Sequence, residues 1–235
     1  MKNNYNTHNN PTNDIDAIVA ETKAYSTELT PGQMKAMEQL DRTIIGRAGL
    51  EDVEDIAGVV AGIKPAALVG KSRALEKFLA TSGYAYEDAG RGQVTLSRSG
   101  KAAHALNVLF NELWQGGDLA QNNYDIGKLL GYPETATDNY INRLNSDNYT
   151  DFPKMYAEED VIAGRSPGFI LSPDHWREEM AEYVTPVRKA MADLAPKSFA
   201  RRLEQEKKTA RRYRKLGSAA LTLFNSESIA VKLVK

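Results

Sequence analysis

The 235-residue chain contains no cysteine and only three histidines, at positions 8, 104 and 175. The lack of cysteine excludes disulfides, cysteine-ligated zinc, iron–sulfur clusters and thiol nucleophiles. Three scattered histidines argue against a histidine-rich metal site, so we predict neither a metal site nor a cofactor. No apolar run approaches the roughly 20 residues of a membrane span, and the Asn-rich start lacks the apolar core of a secretory signal. We therefore expect a cytoplasmic protein without membrane contact.

Charge is distributed unevenly along the chain, although the net charge is only −1. Residues 1–196 contain 19 basic and 28 acidic residues, a net charge of −9. Residues 197–235 contain 11 basic and 3 acidic residues, a net charge of +8. The composition therefore predicts an acidic body followed by a basic C-terminal segment.

The apolar periodicity predicts an α+β fold that is mostly helical, with short β-hairpins and a small segregated sheet. We expect a disordered N-terminal tail at 1–13 and a single globular domain at 14–196. The remaining segment, 197–235, is predicted to form a basic helix and a C-terminal hairpin packed on the same domain.

Several short apolar segments are predicted to be strands. Residues 66–69 are apolar and lie between Pro65 and Gly70, which is typical of a short buried strand. The segment 84–97 contains two apolar arms around a Gly-Arg-Gly turn and predicts a hairpin. We also predict a short strand at 169–171 and a final hairpin at 220–235.

Helix starts and breaks are also marked in the sequence. Asp14, Thr30 and Ser72 each precede an apolar helical pattern and are predicted N-caps. Pro186 lies inside a long helical pattern and predicts a kink or a break.

The segment 65-PAALVGKS-72 resembles a phosphate-binding loop only superficially. That loop needs a glycine six residues before the Gly-Lys-Ser lysine, so that backbone amides can wrap a phosphate. Pro65 occupies that position and has neither a free φ angle nor an N–H group. We therefore interpret Ser72 as a helix cap.

The basic segment 197-KSFARRLEQEKKTARRYRK-215 can neutralise phosphates, and such binding would weaken steeply with salt. Its candidate nucleic-acid contacts are Arg201, Lys208, Arg211, Arg212, Arg214 and Lys215. Three alternatives remain open: a solvated face, docking on the acidic body of the same chain, or packing in a homo-oligomer. Our leading hypothesis is a non-catalytic binding protein that contacts RNA or a ribonucleoprotein.

The segment 127-GKLLGYPETATDNYINRL-144 predicts a sharp corner between two helices. Gly131 fits a left-handed C-cap, Pro133 prevents the first helix from continuing, and Thr135 is the predicted cap of the next helix. The capping pattern accounts for a structural corner, while the neighbouring polar residues leave a functional site open.

This corner resembles a motif of a prokaryotic family of unknown function, whose members carry Gly-(Arg/Lys)-Leu-Leu-Gly-Tyr-Pro-Glu followed by two cysteines. Segments 62–69 and 169–180 are similar to further parts of those proteins. Thr135 and Ala136 stand in place of the cysteine pair, so thiol or metal chemistry of those cysteines is not possible here. The resemblance implies a shared fold and a pocket between 131–138 and 172–179, but no activity.

A second hypothesis places a small-molecule or hydrolase-like site in that pocket, formed by Tyr132, Asp138, His175 and Glu179. His175 has carboxylate neighbours and could act as a general base. Its position in a helical first turn is equally typical of N-terminal capping. His104, which has no partner motif, is interpreted as a packed or surface histidine.

Overall fold

The computed structural model describes residues 14–44, 46–116, 118–144, 172 and 174–208. The predicted tail at 1–13, strand at 169–171 and hairpin at 220–235 lie outside the described residues. The helices are α1 (Ile15–Lys23), α2 (Pro31–Thr43), α3 (Arg47–Val60), α4 (Arg73–Ser82), α5 (Gly100–Gln115), α6 (Leu119–Leu130), α7 (Glu134–Leu144), α8 (Trp176–Glu179) and α9 (Thr185–Leu194). Residues 196–208 are also helical, and we call them the basic helix. The predicted α+β class, mostly helical with a small sheet, is confirmed.

The sheet has three antiparallel strands, β1 (Ala66–Gly70), β2 (Ala85–Gly90) and β3 (Gln93–Ser97), in the order β1-β3-β2. The predicted strand and the predicted hairpin are both confirmed. Val69 pairs with Val94 across the first ladder, and Tyr86 pairs with Leu96 across the second. The register shifts between Asp88 and Gly90, so the edge strand β2 carries a bulge near the hairpin turn.

Strand β1 divides the core into two parts because successive side chains of a strand point to opposite faces. Ala67 and Val69 pack into a cluster formed with α2, α3, α4 and α9. Ala66 packs, together with Leu68, into a second cluster formed with α1, α5 and α6. The sheet is therefore covered by helices on both faces.

Most helix starts follow the sequence. The side chains of Asp14 and Ser72 accept hydrogen bonds from backbone N–H groups in the first turns of α1 and α4. Thr30 and Gln33 form a reciprocal capping box at the start of α2. These predicted caps are confirmed.

One predicted cap is wrong. Helix α7 begins at Glu134, and the carbonyl of Pro133 accepts the first helical hydrogen bond, from Thr137. Thr135 therefore lies inside the first turn, and its hydroxyl donates to Glu179 at 2.6 Å. The Thr135 hydroxyl therefore donates to a carboxylate that is distant in sequence, although the local pattern predicted that it caps α7.

The predicted disturbance at Pro186 lies just before the proline. Met180–Val184 form a π-helical turn between α8 and α9, and the N–H of Thr185 donates to the carbonyl of Met180. The hydroxyl of Thr185 donates to the same carbonyl at 2.9 Å. Proline lacks the N–H that a regular α-helical hydrogen bond needs, and the wider π-helical turn accommodates the missing bond.

Gly131 ends α6 with φ +73° and packs closely on the loop before β1. A Cβ atom at this position would lie 3.0 Å from Cδ of Pro65. Gly116 ends α5 with φ +83°, but nothing lies within 4 Å of its ideal Cβ.

We predict that Gly131→Ala lowers the free energy of unfolding by about 2–3 kcal/mol, through left-handed strain plus the clash with Pro65. Gly116→Ala, which adds only the strain, should cost about 1 kcal/mol. Urea unfolding of both variants measures the difference. Equal losses would show that the corner does not depend on this close approach.

Candidate functional site

The Gly-Tyr-Pro corner is held against the loop that joins α3 to β1. The N–H of Tyr132 donates to the carbonyl of Gly127 at 2.9 Å, which closes the end of α6. The first turn of α7 then packs back on α6, because Thr137 lies directly over Gly127. These contacts turn the Tyr132 ring toward Lys64.

Lys64 is fully buried and pairs with a carboxylate of α3. Its Nζ lies 2.5 Å from Oδ1 of Asp55. The same Nζ lies 5.4 Å from the ring centroid of Tyr132 and 5.9 Å from that of Tyr183. The two rings contact each other edge to face at 5.8 Å. Gly58 makes room for this arrangement, since a Cβ there would lie 2.8 Å from the lysine stem.

Burial and pairing compete in this cluster. Burial alone would lower the pKa of Lys64, but the Asp55 carboxylate and its hydrogen bond outweigh it and hold that pKa above its ordinary value. Burial raises the pKa of Asp55, and the Lys64 ammonium opposes that shift. Burial also raises the pKa of Tyr132 and Tyr183 well above the ordinary value, so both phenols stay neutral. The cluster therefore holds the Lys64 ammonium between one carboxylate and two neutral phenols.

A second buried group links the corner to the start of α8. Glu179 is buried, and its Oε1 accepts the hydrogen bond from Thr135. Its Oε2 accepts from the backbone N–H of Ser172 at 2.7 Å. Burial raises the pKa of Glu179, while these two hydrogen bonds and His175 partly offset the shift. The structure thus brings 131–138 and 172–179 into contact.

The four residues proposed for the pocket have different surroundings. A cleft of about 310 Å³ opens beside the corner, and Tyr132 is a lining residue. The residues that line it are Asp16, Val19, Lys23, Tyr124, Lys128, Gly131, Tyr132, Glu134 and Thr137. Asp138 and His175 are exposed, and Glu179 is buried against Thr135. Of the proposed set, only Tyr132 is among these lining residues.

His104 is an exposed residue of α5. Its Nδ1 lies 2.9 Å from Oε1 of Glu87 on the edge strand β2. Asn107 donates to the same carboxylate at 2.7 Å. The histidine therefore takes part in a surface contact between α5 and the sheet.

Lys64 and its partners were missed by the sequence analysis. The available signal was a single charge inside an otherwise apolar stretch, since the neighbouring segments 56–60 and 66–69 contain no charged residue. A buried lysine needs an acidic partner, but the sequence does not say which carboxylate is near. Tyr183 gave even less signal, because an aromatic residue on an apolar helical stripe is typical of any core.

The basic helix begins on a carboxylate from α2. The side chain of Asp41 accepts from the backbone N–H groups of Ser198 at 2.6 Å and Lys197 at 3.1 Å. Asp41 is buried, so an acid 157 residues away in sequence satisfies the first turn of this helix. Phe199, on the same turn, packs against the larger hydrophobic cluster.

The arginines of the basic helix extend this docking. Arg201 donates to the carbonyl of Ile44 at 2.5 Å. Arg202 is buried, and its Nε lies 3.5 Å from Oε2 of the buried Glu54. Glu206 forms an ion pair with Arg188 of α9, and burial raises the pKa of Glu206. The inner part of the basic helix, up to Glu206, is therefore docked on the acidic body.

The outer end of the helix is different. Lys207 and Lys208 are exposed, and Lys207 forms an ion pair with the exposed Glu204 at 3.2 Å. The remaining candidate nucleic-acid contacts, Arg211, Arg212, Arg214 and Lys215, lie outside the described residues. The described basic residues therefore fall into an inner docked group and an outer exposed group.

No group of three or more His, Asp or Glu side chains that could hold a metal ion is present in the described ranges. No helix in the same ranges is long and apolar enough to cross a membrane.

Comparison with known proteins gave no match: no protein-family model fits the chain, and no similar protein was found among curated sequences or solved structures. The resemblance of the corner to a prokaryotic family stays a prediction.

We predict that Lys64→Met lowers the free energy of unfolding by about 3–5 kcal/mol, because it leaves the Asp55 charge without its partner. The double variant Lys64→Met/Asp55→Leu should recover most of this loss, since it removes both charges. Urea unfolding of the single and double variants measures the recovery. If the double variant is as unstable as Lys64→Met, the loss comes from packing and not from the orphaned carboxylate.

The raised pKa of Glu179 predicts a specific dependence of folding stability on pH. Its folded-state pKa lies above the ordinary value of 4.5, so the folded protein holds a proton there more readily than the unfolded chain. The stability this residue contributes is complete below about pH 4.5 and is lost as pH rises through the folded-state pKa. We expect the wild type to lose stability relative to Glu179→Gln in urea titrations as pH rises from the ordinary pKa of 4.5 through the raised folded-state pKa. The exposed variant Glu182→Gln, on the π-helical turn, should keep the wild-type profile; parallel profiles for all three proteins would contradict the assignment.

Proposed function

We propose that the protein is a non-catalytic binding protein that contacts a polyanion, RNA or a ribonucleoprotein, through the outer part of its basic C-terminal segment. The observation that carries this proposal is the division of the basic helix into a docked inner part and an exposed outer part. Docking fixes the inner turns of the helix on the body, and the outer lysines, Lys207 and Lys208, stand at its described end.

The docked part has its charge neutralised by the protein itself. Glu51 and Glu54 lie within ion-pair distance of Arg202, and Glu206 contacts Arg188. Arg201 is engaged by backbone carbonyls. These inner residues are anchors, so the contact with a polyanion is assigned to the residues that follow them.

The outer part retains a dense positive charge. From residue 207 to residue 215 the chain contains two lysines, three arginines and a further lysine, and no acid. Lys207 and Lys208 begin this run and are exposed. A run of this kind binds phosphates by releasing counterions, without reading a base sequence. Phe199 is partly buried and packs against the larger hydrophobic cluster, so it is not offered for stacking on bases.

The acidic body has a role in the same proposal. A net charge of −9 over residues 1–196 repels a nucleic acid from most of the surface. Binding is therefore directed to the basic run, and the body limits non-specific coating. A strong salt dependence follows from this mode of contact.

We predict that the protein binds a mixed-sequence single-stranded RNA at low salt and that affinity falls steeply with salt. Replacing Arg211, Arg212 and Arg214 by Glu should lower the slope of log affinity against log salt by about 2, because three phosphate contacts are lost. Fluorescence anisotropy across a salt series measures the slope.

The matched control replaces Lys35, Arg73 and Lys77 by Glu, since all three are exposed basic residues of the body. It changes the net charge by the same amount and should leave the slope unchanged. Binding that is insensitive to salt, or equal losses in both triple variants, would contradict the proposal.

A further inference from the structure

Strand β2 forms an edge of the sheet, and among the described residues no strand pairs with its outer side. Its inner side pairs with β3 in regular register from Ala85 to Asp88. The bulge between Asp88 and Gly90 lies at the turn end of the strand and does not interrupt this stretch. Alternate N–H and C=O groups of an edge strand point outward, where a further strand can pair with them.

The apolar face of the sheet continues onto β2, where it is exposed. Leu96 of β3 is fully buried in the larger hydrophobic cluster, whereas Tyr86, directly opposite it, is 53% exposed. Tyr84, one residue before the strand, is buried and stacks on Phe78. Tyr86 is therefore a large exposed ring beside buried neighbours, and a side chain of an added strand would cover it.

The charge of β2 indicates what kind of strand fits. Glu87, on the face that α5 covers, lies near His104 at 2.9 Å and Asn107 at 2.7 Å. In the part of the chain that the structure describes, neither lysine nor arginine forms an ion pair with Glu87. Asp88, on the opposite face, pairs with Lys71. An added strand with a basic residue opposite Glu87 would therefore gain a cross-strand ion pair.

A second copy of the same edge fits poorly. Two copies of β2 related by a twofold axis would pair antiparallel and bring the acids of both strands into one short ladder. β2 contains two acids, Glu87 and Asp88, and no basic residue that could offset them. Because like charges in neighbouring strands destabilise a ladder, the edge favours a basic strand over a copy of itself.

The C-terminal segment of the chain contains a sequence with these properties. Residues 228-SIAVKLVK-235 include two lysines and no acid. In a strand, Ile229, Val231 and Leu233 would fall on one face and Lys232 on the other. Isoleucine and valine are enriched in strands. The segment lies outside the described residues and belongs to the final hairpin that the sequence predicts.

The intervening chain is long enough to reach the edge. The described residues end at Lys208, and 19 residues, 209–227, lie between it and the segment. Extended at about 3.3 Å per residue, they span about 60 Å. A compact body of about 200 residues is roughly 40 Å across. A tethered strand also has an effective concentration in the millimolar range, which favours it over a separate partner.

We propose that residues 228–235 add to the outer edge of β2 as an antiparallel strand, with Lys232 opposite Glu87. The orientation follows the described ladders of the sheet, which are antiparallel. In this register Leu233 lies opposite Tyr86 and covers its ring. The contact ties the C-terminal segment to the body and does not depend on whether a polyanion binds elsewhere on the protein.

The test uses the absence of cysteine, since one introduced pair can be oxidised in the full chain without competing thiols. Ala85→Cys/Val234→Cys places two cysteines opposite each other in the proposed register, where Cα separations of about 4.5–5.5 Å suit a disulfide. Its intramolecular disulfide should form at least about tenfold faster than that of Ala20→Cys/Val234→Cys. Ala20 is an exposed residue of α1. Equal rates would overturn the proposal, as would a disulfide-linked dimer as the main product of the first variant.

A charge change in the segment tests the register. In the Ala85→Cys/Val234→Cys protein, Lys232→Glu should slow disulfide formation about threefold, because it places an acid opposite Glu87. Lys235→Glu makes the same change of charge beyond the end of β2 and should leave the rate unchanged. Equal slowing by both variants would mean that general charge attraction, and not this register, holds the segment.

Hydrogen exchange tests the pairing without cysteines and decides the matter if Ala85→Cys does not fold. Val231→Pro removes a backbone donor and prevents regular pairing of the segment. The outward-facing amides of Ala85–Asp88 should then exchange about tenfold faster than in the wild type. The amides of β3, which is paired on both sides, should keep their rates. Unchanged exchange in β2 would show that its edge is open in the wild type and would overturn the proposal.

Discussion

The ion pair between Lys64 and Asp55 is the contact on which the corner, the π-helical turn and the start of the sheet depend. Lys64 lies one residue before the loop proline that precedes β1, and Asp55 lies on α3. Tyr132 brings in the corner, and Tyr183 brings in the π-helical turn. The end of α3, the loop before β1, the corner and the π-helical turn therefore share one buried positive charge. A buried charge tolerates little displacement of its partners, because its solvation in water has been replaced by a few fixed contacts.

Local sequence rules predicted the elements well where the determining contacts are close in sequence. The caps at Asp14, Thr30 and Ser72 use acceptors and donors within three residues of each other. The hairpin depends on a short turn, and the end of α6 depends on a glycine with positive φ. In each case the contacts that determine where the element begins or ends lie within a few neighbouring residues.

The same rules failed where a distant partner decides the outcome. Thr135 has the chemistry of a cap, but Glu179, 44 residues away, takes its hydroxyl. Lys64 has the chemistry of a surface residue, but Asp55 and two tyrosines make it a core residue. A single sequence does not record which charges become neighbours, so these sites emerge only from the fold. The cleft illustrates this as well: Asp16 and Lys128 are 112 positions apart yet form one ion pair across it.

Asp41 gives the basic helix a dependence on the order in which the chain folds. The first turn of that helix is completed by a side chain on α2, so its backbone donors find their partner only after about two thirds of the chain has been closed into a loop. During synthesis, α2 leaves the ribosome long before residue 198, so the Asp41 carboxylate is present before the N–H groups that it binds. The docking of the basic helix therefore depends on the closure of a long loop, and it brings Arg202 beside the buried Glu54. Closure of this loop and completion of the first turn of the basic helix become one event.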